Sequence, residues 1–236
     1  MDIAGLQKMT LLDFPGRVAC TVFTQGCNFR CPFCHNSDLL PMKGQVYMSD
    51  EELLAFLKKR IGLLDGVCFT GGEPTMQAEL PNLVKRIKDL GYAVKLDTNG
   101  TNPKMLREMV EAGLLDYVAM DIKNSPANYP RTAGMDEHLL SKVEESIAYL
   151  LRGKVDYEFR TTMVAELHSE EAIQDMGQWL LSVGNGTKPT KWFLQCYTDR
   201  DSVLFAGLTA PEADTMRKYA RKLTPFADFV SLRGVD

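Results

Sequence analysis

Three closely spaced cysteines are the residues of this sequence best suited to chemistry. Cys27, Cys31 and Cys34 form a C-x-x-x-C-x-x-C pattern, and the apolar run before them, residues 18–24, predicts a buried strand. A four-iron cluster that only carries electrons has one cysteine for each iron, so three clustered cysteines with no evident fourth indicate one iron open to another ligand. A small zinc site and three cysteines buried for packing are the two alternatives.

The other three cysteines lie far apart in the sequence. Cys20 and Cys68 sit within apolar runs typical of buried strands, and Cys196 lies near the end of a predicted strand. We expect all six cysteines to be thiols in a reducing cytoplasm. One cluster is therefore expected, bound by the closely spaced three.

A second motif, Gly71-Gly72-Glu73, follows the strand predicted at residues 67–70. Two adjacent glycines let the backbone approach a ligand closely, and the Glu73 carboxylate is an acceptor for an ammonium group. Because tight turns need glycine in any case, the motif alone is weak evidence for a binding site. It becomes stronger evidence together with the cysteine motif at this distance. We expect any side chain at Gly72 to intrude on the bound ligand.

Charged residues end the next predicted strands. Asp97 and Asp121 close two neighbouring strands, and Lys123 follows two residues later. Each acid alone is explained by a helix cap or a turn, but the pair with Lys123 needs a charged or hydroxyl-rich ligand to satisfy it. Arg160, near the end of the fifth strand, either contacts a ligand carboxylate or ribose or forms a salt bridge inside the sheet.

Alternating strands and helices must position these residues. The strands are predicted at residues 18–24, 67–70, 93–97, 117–122, 155–164 and 192–197, with a short N-terminal strand before them and an extra strand at 227–232. The helices are predicted at residues 49–61, 78–90, 102–112, 137–151, 169–183 and 211–223.

This alternation predicts an α/β fold with a parallel sheet and helices outside it. A closed eight-fold barrel takes about 250 residues without decoration, and this chain of 236 residues has too few units. We predict one domain over residues 1–236, a partial (β/α)6 TIM-type barrel with a short N-terminal extension. Its site should lie at the carboxyl ends of the strands.

Composition limits the classes of partner. The formal net charge is −4, so no basic surface indicates a nucleic acid. No apolar run reaches the length of a membrane span, and the first residues lack the basic start of a signal peptide. We therefore expect a cytoplasmic protein without a membrane or nucleic-acid partner.

The cysteine segment, with Phe33 between the last two cysteines, resembles the signature of the radical S-adenosylmethionine (radical SAM) superfamily. The Gly71-Gly72-Glu73 motif looks like the turn that binds the methionine amino group there. The resemblance implies a partial barrel and a [4Fe–4S] cluster on the three cysteines, whose open iron chelates S-adenosylmethionine. Reductive cleavage of that cofactor yields a 5′-deoxyadenosyl radical.

Residues 4–8, 13–16 and 23–36 and the Asp121 motif resemble the activating proteins of glycyl-radical enzymes. Among these, the segment is most similar to the anaerobic ribonucleoside-triphosphate reductase activating proteins, and the likeness weakens after about residue 165. This implies an oxidoreductase that abstracts hydrogen from a glycine of a partner reductase. It also implies a low-potential electron donor such as flavodoxin or ferredoxin.

The resemblance also implies roles for single residues. The cofactor would be bound by Phe33, Gly71, Gly72, Glu73, Asp97, Asn99, Lys123 and Arg160. A monovalent cation would be held by Asp97, Thr98 and Asp121. The chain departs from the pyruvate formate-lyase activases at Gln195-Cys196-Tyr197, where those enzymes have a cofactor-contacting histidine. His35 is expected to hydrogen-bond to the loop.

Three alternatives stay open. The first is an activase of another glycyl-radical enzyme, of the pyruvate formate-lyase type. The second is a radical SAM enzyme for a small molecule, although an incomplete barrel suits a peptide loop better than a metabolite. The third is a non-enzymatic iron–sulfur or zinc protein.

Overall fold

One sheet of eight strands dominates the computed structural model, which describes residues 1–235. The strands follow one another in the sheet in sequence order. The first pair is antiparallel, and the other pairs are parallel. The strands are β1 Ile3–Thr10, β2 Ala19–Thr24, β3 Gly66–Gly71, β4 Ala93–Thr98, β5 Tyr117–Asp121, β6 Asp156–Met163, β7 Trp192–Cys196 and β8 Val230–Arg233.

Helices connect the parallel strands. They are α1 Asp50–Lys58, α2 Leu80–Asp89, α3 Pro103–Glu111, α4 Tyr129–Ala133, α5 Leu140–Leu150, α6 Glu170–Val183 and α7 Ala213–Leu223. The predicted α/β fold with an open, mostly parallel sheet is confirmed, and it is consistent with a partial barrel. Strands β1 and β8 stand at opposite ends of the strand order, so the barrel stays open between them.

Local sequence explains where the helices begin. Ser49 caps α1, and its hydroxyl accepts from the backbone N–H of Glu52 while the Glu52 carboxylate accepts from Ser49 N–H, which is a capping box. Helix α4 was not predicted, because five residues are too few to show a helical period. It has Pro130 in its first turn, and Gly134, with φ +57°, caps its C-terminus.

The two faces of the sheet differ in chemistry because side chains alternate along each strand. One face carries apolar residues that are fully buried beneath the helices, among them Val22, Phe69, Leu96, Val118 and Phe159. The alternate positions face the inside of the partial barrel, here called the lumen. They carry polar and charged side chains, among them Thr21, Cys68, Lys95, Glu158 and Arg160.

Across residues 1–235, no helix is both long enough and apolar enough to span a lipid bilayer.

Candidate active site

The loop after β2 brings the three closely spaced cysteines to one cavity. Cys27, Cys31 and Cys34 all line a space of about 420 Å³ at the carboxyl ends of the strands. Burial raises the pKa of Cys27 to about 12 and that of Cys31 to about 11, and it also raises the pKa of Cys34. The thiols are therefore protonated at neutral pH in the chain without a bound metal.

Backbone hydrogen bonds fix the shape of this cysteine loop (residues 26–36). Gly26 N–H donates to Leu39 O at 2.8 Å, and Arg30 N–H donates to Ala133 O at the end of α4 at 2.9 Å. Glu73 N–H, which follows β3, donates to Gly26 O at 2.8 Å. Three separate segments thus hold the loop, and none of these contacts depends on a cysteine side chain.

A segment after β7, residues 197–205, crosses the cysteine loop and is here called the strap. His35 Nε2–H donates to Thr198 O at 2.7 Å, and the His35 ring stacks on Tyr197 with centroids 5.8 Å apart. Ser202 Oγ donates to His35 O at 2.8 Å, and Phe205 N–H donates to Pro32 O at 3.0 Å. The partner of His35 is therefore the strap and not the loop itself.

The structure also separates the three residues at the end of β7. Gln195 lines the cavity, whereas the Cys196 thiol lies 3.8 Å from Pro211 O. Tyr197 donates its hydroxyl to Asp199 at 3.0 Å and stacks on His35. Of the three, Gln195 is therefore the residue placed to contact a ligand in the cavity.

The Gly71-Gly72 turn packs backbone to backbone against the cysteine loop. A Cβ at Gly72 would lie 2.1 Å from Gly26 O, and a Cβ at Gly71, where φ is +111°, would lie 2.4 Å from Thr24 N. Both distances are too short for real atoms. The expectation for Gly72 therefore needs correction: a side chain there first collides with the cysteine loop, before it reaches a ligand.

Glu73 is engaged by the protein itself. It is 1% exposed, and its Oε1 accepts from Thr75 N–H, Thr75 Oγ1 and Thr98 Oγ1 at 3.0, 2.6 and 2.8 Å. Its Oε2 accepts from Asn99 N–H at 2.6 Å. Burial raises the pKa of Glu73, and these hydrogen bonds oppose that shift. Because Oε2 has a single partner, it is the oxygen that retains acceptor capacity.

Asn99 links the loop after β4 to the cysteine loop. Its Nδ2 donates to Asn28 Oδ1 at 2.9 Å, and its Oδ1 accepts from Thr101 N–H at 3.0 Å. Asn28 Nδ2 in turn donates to Thr101 Oγ1 at 2.9 Å. Asn28 was missed by sequence reasoning, although its position directly after Cys27 was a usable signal.

Five charged side chains meet in the lumen, four of them in the wall of the cavity, and we call them the charge cluster. They are Lys95, Asp97, Asp121, Lys123 and Arg160. Asp97 contacts Lys95 through Oδ1 and Arg160 through Oδ2, and Asp121 contacts Arg160 through Oδ1 and Lys123 through Oδ2. Lys95, which is 2% exposed, was missed, although a lysine within an apolar strand, two residues before Asp97, lies on the same face.

Mutual attraction keeps the acids of this cluster ionised. Burial by itself raises the pKa of Asp97 and of Asp121. The nearby cations outweigh it, lowering the pKa of Asp97 and bringing that of Asp121 to about 2. Burial by itself lowers the pKa of Lys123, but the Asp121 carboxylate raises it above its ordinary value. Asp97 and Asp121 are thus ionised and Lys123 is protonated near neutral pH.

The model of the radical SAM superfamily matches residues 21–180, which is more than half of the chain. This chain belongs to the radical SAM superfamily. Residues 21–180 hold the cysteine loop, the Gly-Gly turn and the charge cluster, whereas the strap lies beyond the matched region.

Several relatives of this radical SAM protein are known by name. MJ1227 of Methanocaldococcus jannaschii, whose name describes a glycyl-radical enzyme activating enzyme, is 26% identical over 99% of this chain and 96% of its own. A protein of Thermococcus kodakarensis named for GTP 3′,8-cyclase activity is 32% identical over 68% of this chain and 52% of its own. The pyruvate formate-lyase-activating enzyme of Clostridium pasteurianum is 36% identical over 52% of each chain.

A solved structure supports the fold assignment. A domain of a pyruvate formate-lyase-activating enzyme from Bacteroides vulgatus aligns with a TM-score of 0.57 at 19% identity, over 72% of this chain and 99% of that one. The likeness establishes the open, mostly parallel sheet of radical SAM enzymes.

The superfamily implies a [4Fe–4S] cluster and S-adenosylmethionine, and the donor set fits both. Three free thiols line one cavity, and the turn at Gly71 and Gly72 forms a wall without side chains beside them. Within residues 1–235, no three His, Cys, Asp or Glu side chains converge as a single metal ion requires. A cubane cluster does not require such convergence, because each thiolate binds its own iron.

The residues expected to hold a monovalent cation do not fit one. All four carboxylate oxygens of Asp97 and Asp121 already contact a lysine or arginine nitrogen. Thr98 Oγ1 donates to Glu73 Oε1 at 2.8 Å and accepts from Gly100 N–H at 3.1 Å. A cation would have to displace one of these partners.

Proposed function

We propose that this radical SAM enzyme activates a glycyl-radical enzyme, most specifically an anaerobic ribonucleotide reductase. It would cleave S-adenosylmethionine reductively and abstract hydrogen from one glycine of the partner. The observation that carries the proposal is the position of the cavity, which holds three thiols and a glycine wall in a sheet left open between β1 and β8. An opening of this kind admits a peptide loop, whereas metabolites generally bind in more enclosed pockets. The near full-length likeness to MJ1227 supports the same function.

The residues of the cavity have distinct proposed roles. Cys27, Cys31 and Cys34 hold the [4Fe–4S] cluster, which when bound supplies the electron for cleavage of S-adenosylmethionine. The backbone at Gly71 and Gly72 lies along the methionine group.

Side chains around the cavity complete the proposed cofactor site. Glu73 Oε2 accepts from the methionine ammonium, and Asn99 and Phe33 contact the cofactor beside the cysteine loop. Lys123 Nζ, 5.8 Å from the centre of the Phe33 ring, attracts a carboxylate. Asp97 and Arg160 line the same cavity and act on the cofactor through the field of the charge cluster.

The proposed setting is a reducing cytoplasm. All six cysteines are free thiols, as expected for a protein that meets no oxidising compartment. A low-potential donor such as flavodoxin or ferredoxin would supply the electron, and the partner would be a protein rather than a nucleic acid or a membrane.

Two other functions rest on specific observations. The match to the Clostridium pasteurianum activating enzyme favours a pyruvate formate-lyase type of partner with the same chemistry. The match to the GTP 3′,8-cyclase relative favours a small-molecule substrate. In the first case only the partner differs, and in the second the cavity itself must bind the substrate.

The deciding experiment mixes the anaerobically reconstituted protein with reductant, S-adenosylmethionine and each candidate partner. We expect slow formation of 5′-deoxyadenosine without a partner and faster formation with the matching reductase, together with a doublet radical signal in electron paramagnetic resonance. The control partner has its target glycine replaced by alanine and should give no signal. A signal on pyruvate formate-lyase alone would favour the first alternative. Rapid turnover with a nucleotide and no radical on any partner would refute activation.

A further inference from the structure

The charge cluster is complete without an added ion. Asp97 and Asp121 together offer four carboxylate oxygens, and each is within 3.0 Å of a side-chain nitrogen of a lysine or arginine. Hard metal cations in proteins are bound by oxygen ligands, carboxylate oxygens among them. Here their coordination positions are taken by groups that belong to the chain.

Arg160 is the residue that bridges the two acids. Its Nη1 donates to Asp97 Oδ2 at 3.0 Å, and its Nε donates to Asp121 Oδ1 at 3.0 Å. A guanidinium is planar and permanently charged, with donors in a fixed arrangement, so it can hold two carboxylates at a set separation. One side chain therefore performs the bridging that a bound cation would perform.

The strand register explains how Arg160 reaches both acids. Arg160 on β6 pairs with Asp121 on β5, whereas Asp97 on β4 pairs with Ala119 on β5. Ala119 is fully buried. It lies on the same face of β5 as Asp121, and its side chain is only a methyl group. The space above its methyl group lets the arginine side chain extend across β5 to Asp97.

Charge balance also opposes a further cation. The cluster holds three cations and two carboxylates, a net charge of +1, and the side chains of Lys95, Asp97 and Arg160 are 2%, 14% and 14% exposed. In such a poorly solvated place, like charges repel more strongly than they do in water. An entering Na⁺ or K⁺ would meet this repulsion and would also have to displace a guanidinium or ammonium group.

We propose that Arg160, with Lys95 and Lys123, replaces a monovalent cation in this chain, so that the site is indifferent to Na⁺ and K⁺. This indifference is independent of which partner the protein activates. Arg160 is then a positioning residue, which fixes the separation of Asp97 and Asp121 and the direction of Lys123. Removal of its side chain would leave two carboxylates facing a vacated space, which is a cation site.

The test measures the thermal unfolding midpoint of the cluster-free protein in K⁺, Na⁺ and tetramethylammonium chloride at one ionic strength. Wild type should unfold at the same midpoint in all three salts. Arg160→Met should unfold at a lower midpoint in tetramethylammonium, and K⁺ or Na⁺ should restore part of the loss. Arg160→Lys should need less restoration, because an ammonium keeps the positive charge although it lacks the planar donors that bridge the two acids.

Arg233→Met is the matched control. Arg233 donates through Nη1 and Nη2 to the two oxygens of Glu158, each at 3.0 Å, so it is a lumenal arginine that faces one carboxylate and does not bridge two. We expect this variant to lose stability equally in the three salts.

Two outcomes would overturn the proposal. One is specific stabilisation of wild type by K⁺ or Na⁺, which needs no variant to detect. The other is a folded Arg160→Met protein that shows no cation response beyond that of the control. Calorimetric titration of S-adenosylmethionine into the reconstituted wild type gives a second readout, and its affinity should be equal in K⁺ and in tetramethylammonium. Neither measurement requires a glycyl-radical partner, so a failure here is distinguishable from a wrong choice of partner.

Discussion

The cysteine loop and the charge cluster face the same cavity but are held in different ways. The loop is one continuous stretch, and backbone hydrogen bonds from the segments around it fix its shape. The cluster is assembled from side chains on β4, β5 and β6 and from Lys123 just beyond β5, and opposite charges hold it together. Side-chain replacement should therefore leave the frame of the loop intact but disturb the whole cluster.

The two regions meet at Lys123. Its ammonium group lies 2.8 Å from Asp121 Oδ2 and 5.8 Å from the centre of the Phe33 ring in the cysteine loop. Its backbone carbonyl accepts from His168 at 2.9 Å. The two regions can therefore be separated by changes to the thiols, to the acids, to the contact between the loop and the Gly-Gly turn, and to the support behind Lys123.

The largest expected effect is loss of the cluster when a loop thiol is removed. Cys31→Ala should abolish the iron and sulfide content after anaerobic reconstitution, because each cysteine is proposed to bind a separate iron. The backbone frame does not use that side chain, so the far-ultraviolet circular dichroism should match wild type. The matched control replaces Cys20, Cys68 and Cys196 together by alanine and should retain its iron. Loss of iron in this triple variant would mean that the ligands have been assigned wrongly.

The second effect concerns stability and not metal content. Asp121→Asn leaves Lys123 without its buried counter-charge and Arg160 with Asp97 alone, and we expect the free energy of unfolding in urea to fall by roughly 3 kcal/mol. The exposed pair of Lys85 and Asp89 supplies the control, Asp89→Asn, which should change stability by less than about 1 kcal/mol. Equal losses in the two variants would show that the charge cluster adds no more than a surface pair does.

A smaller effect tests the contact between the turn and the loop. Because a Cβ at Gly72 meets the carbonyl of Gly26, Gly72→Ala should lower iron loading together with affinity for S-adenosylmethionine, the latter by about tenfold, or ~1.4 kcal/mol. Gly5→Ala is the control, since its Cβ would meet only the Phe23 side chain at an ordinary 3.7 Å. Full iron loading in Gly72→Ala with impaired cofactor binding would mean that the turn acts on the cofactor alone.

The smallest effect is a pH dependence that arises behind Lys123. His168 is buried, which lowers its pKa, and its neutral ring accepts from Val164 N–H and donates to Lys123 O. The unfolded chain binds a proton near the ordinary pKa of about 6.5 while the folded chain does not, so stability should fall as pH drops below that value. The slope is at most about 1.4 kcal/mol per pH unit.

Urea unfolding between pH 7 and 5.5 measures this slope, because carboxylates with ordinary pKa values titrate below that range. His168→Asn should be less stable than wild type at pH 7 but should show a flatter dependence on pH. A wild-type protein with constant stability over this range would contradict the assignment of a neutral, buried ring.

Much of the fold was predictable because each unit is encoded locally. The strand after Val18, the capping box at Ser49 and the strands that end at Asp97 and Asp121 all lie within a few residues of their predicted places. The N-terminal strand was less well predicted. Its residues alternate poorly between apolar and polar, and the structure extends it from Ile3 to Thr10.

In the candidate site, too, local motifs were predictable and contacts between distant segments were not. The cysteines and the Gly-Gly turn are contiguous motifs, so the sequence showed them directly. The partners of Arg160 depend on which strands are neighbours and on the small size of Ala119. Neither effect can be predicted from a local sequence pattern. The strap was missed for the same reason, since His35 and Thr198 are 163 positions apart.

That separation has a consequence for biosynthesis. The cysteine loop leaves the ribosome more than 160 residues before the strap does, and at about 5–20 residues per second this interval lasts roughly 10–30 s. During that time the nascent loop has no strap across His35 and Pro32. Delivery of iron and sulfide to the chain during translation would meet a more open loop than delivery to the finished protein.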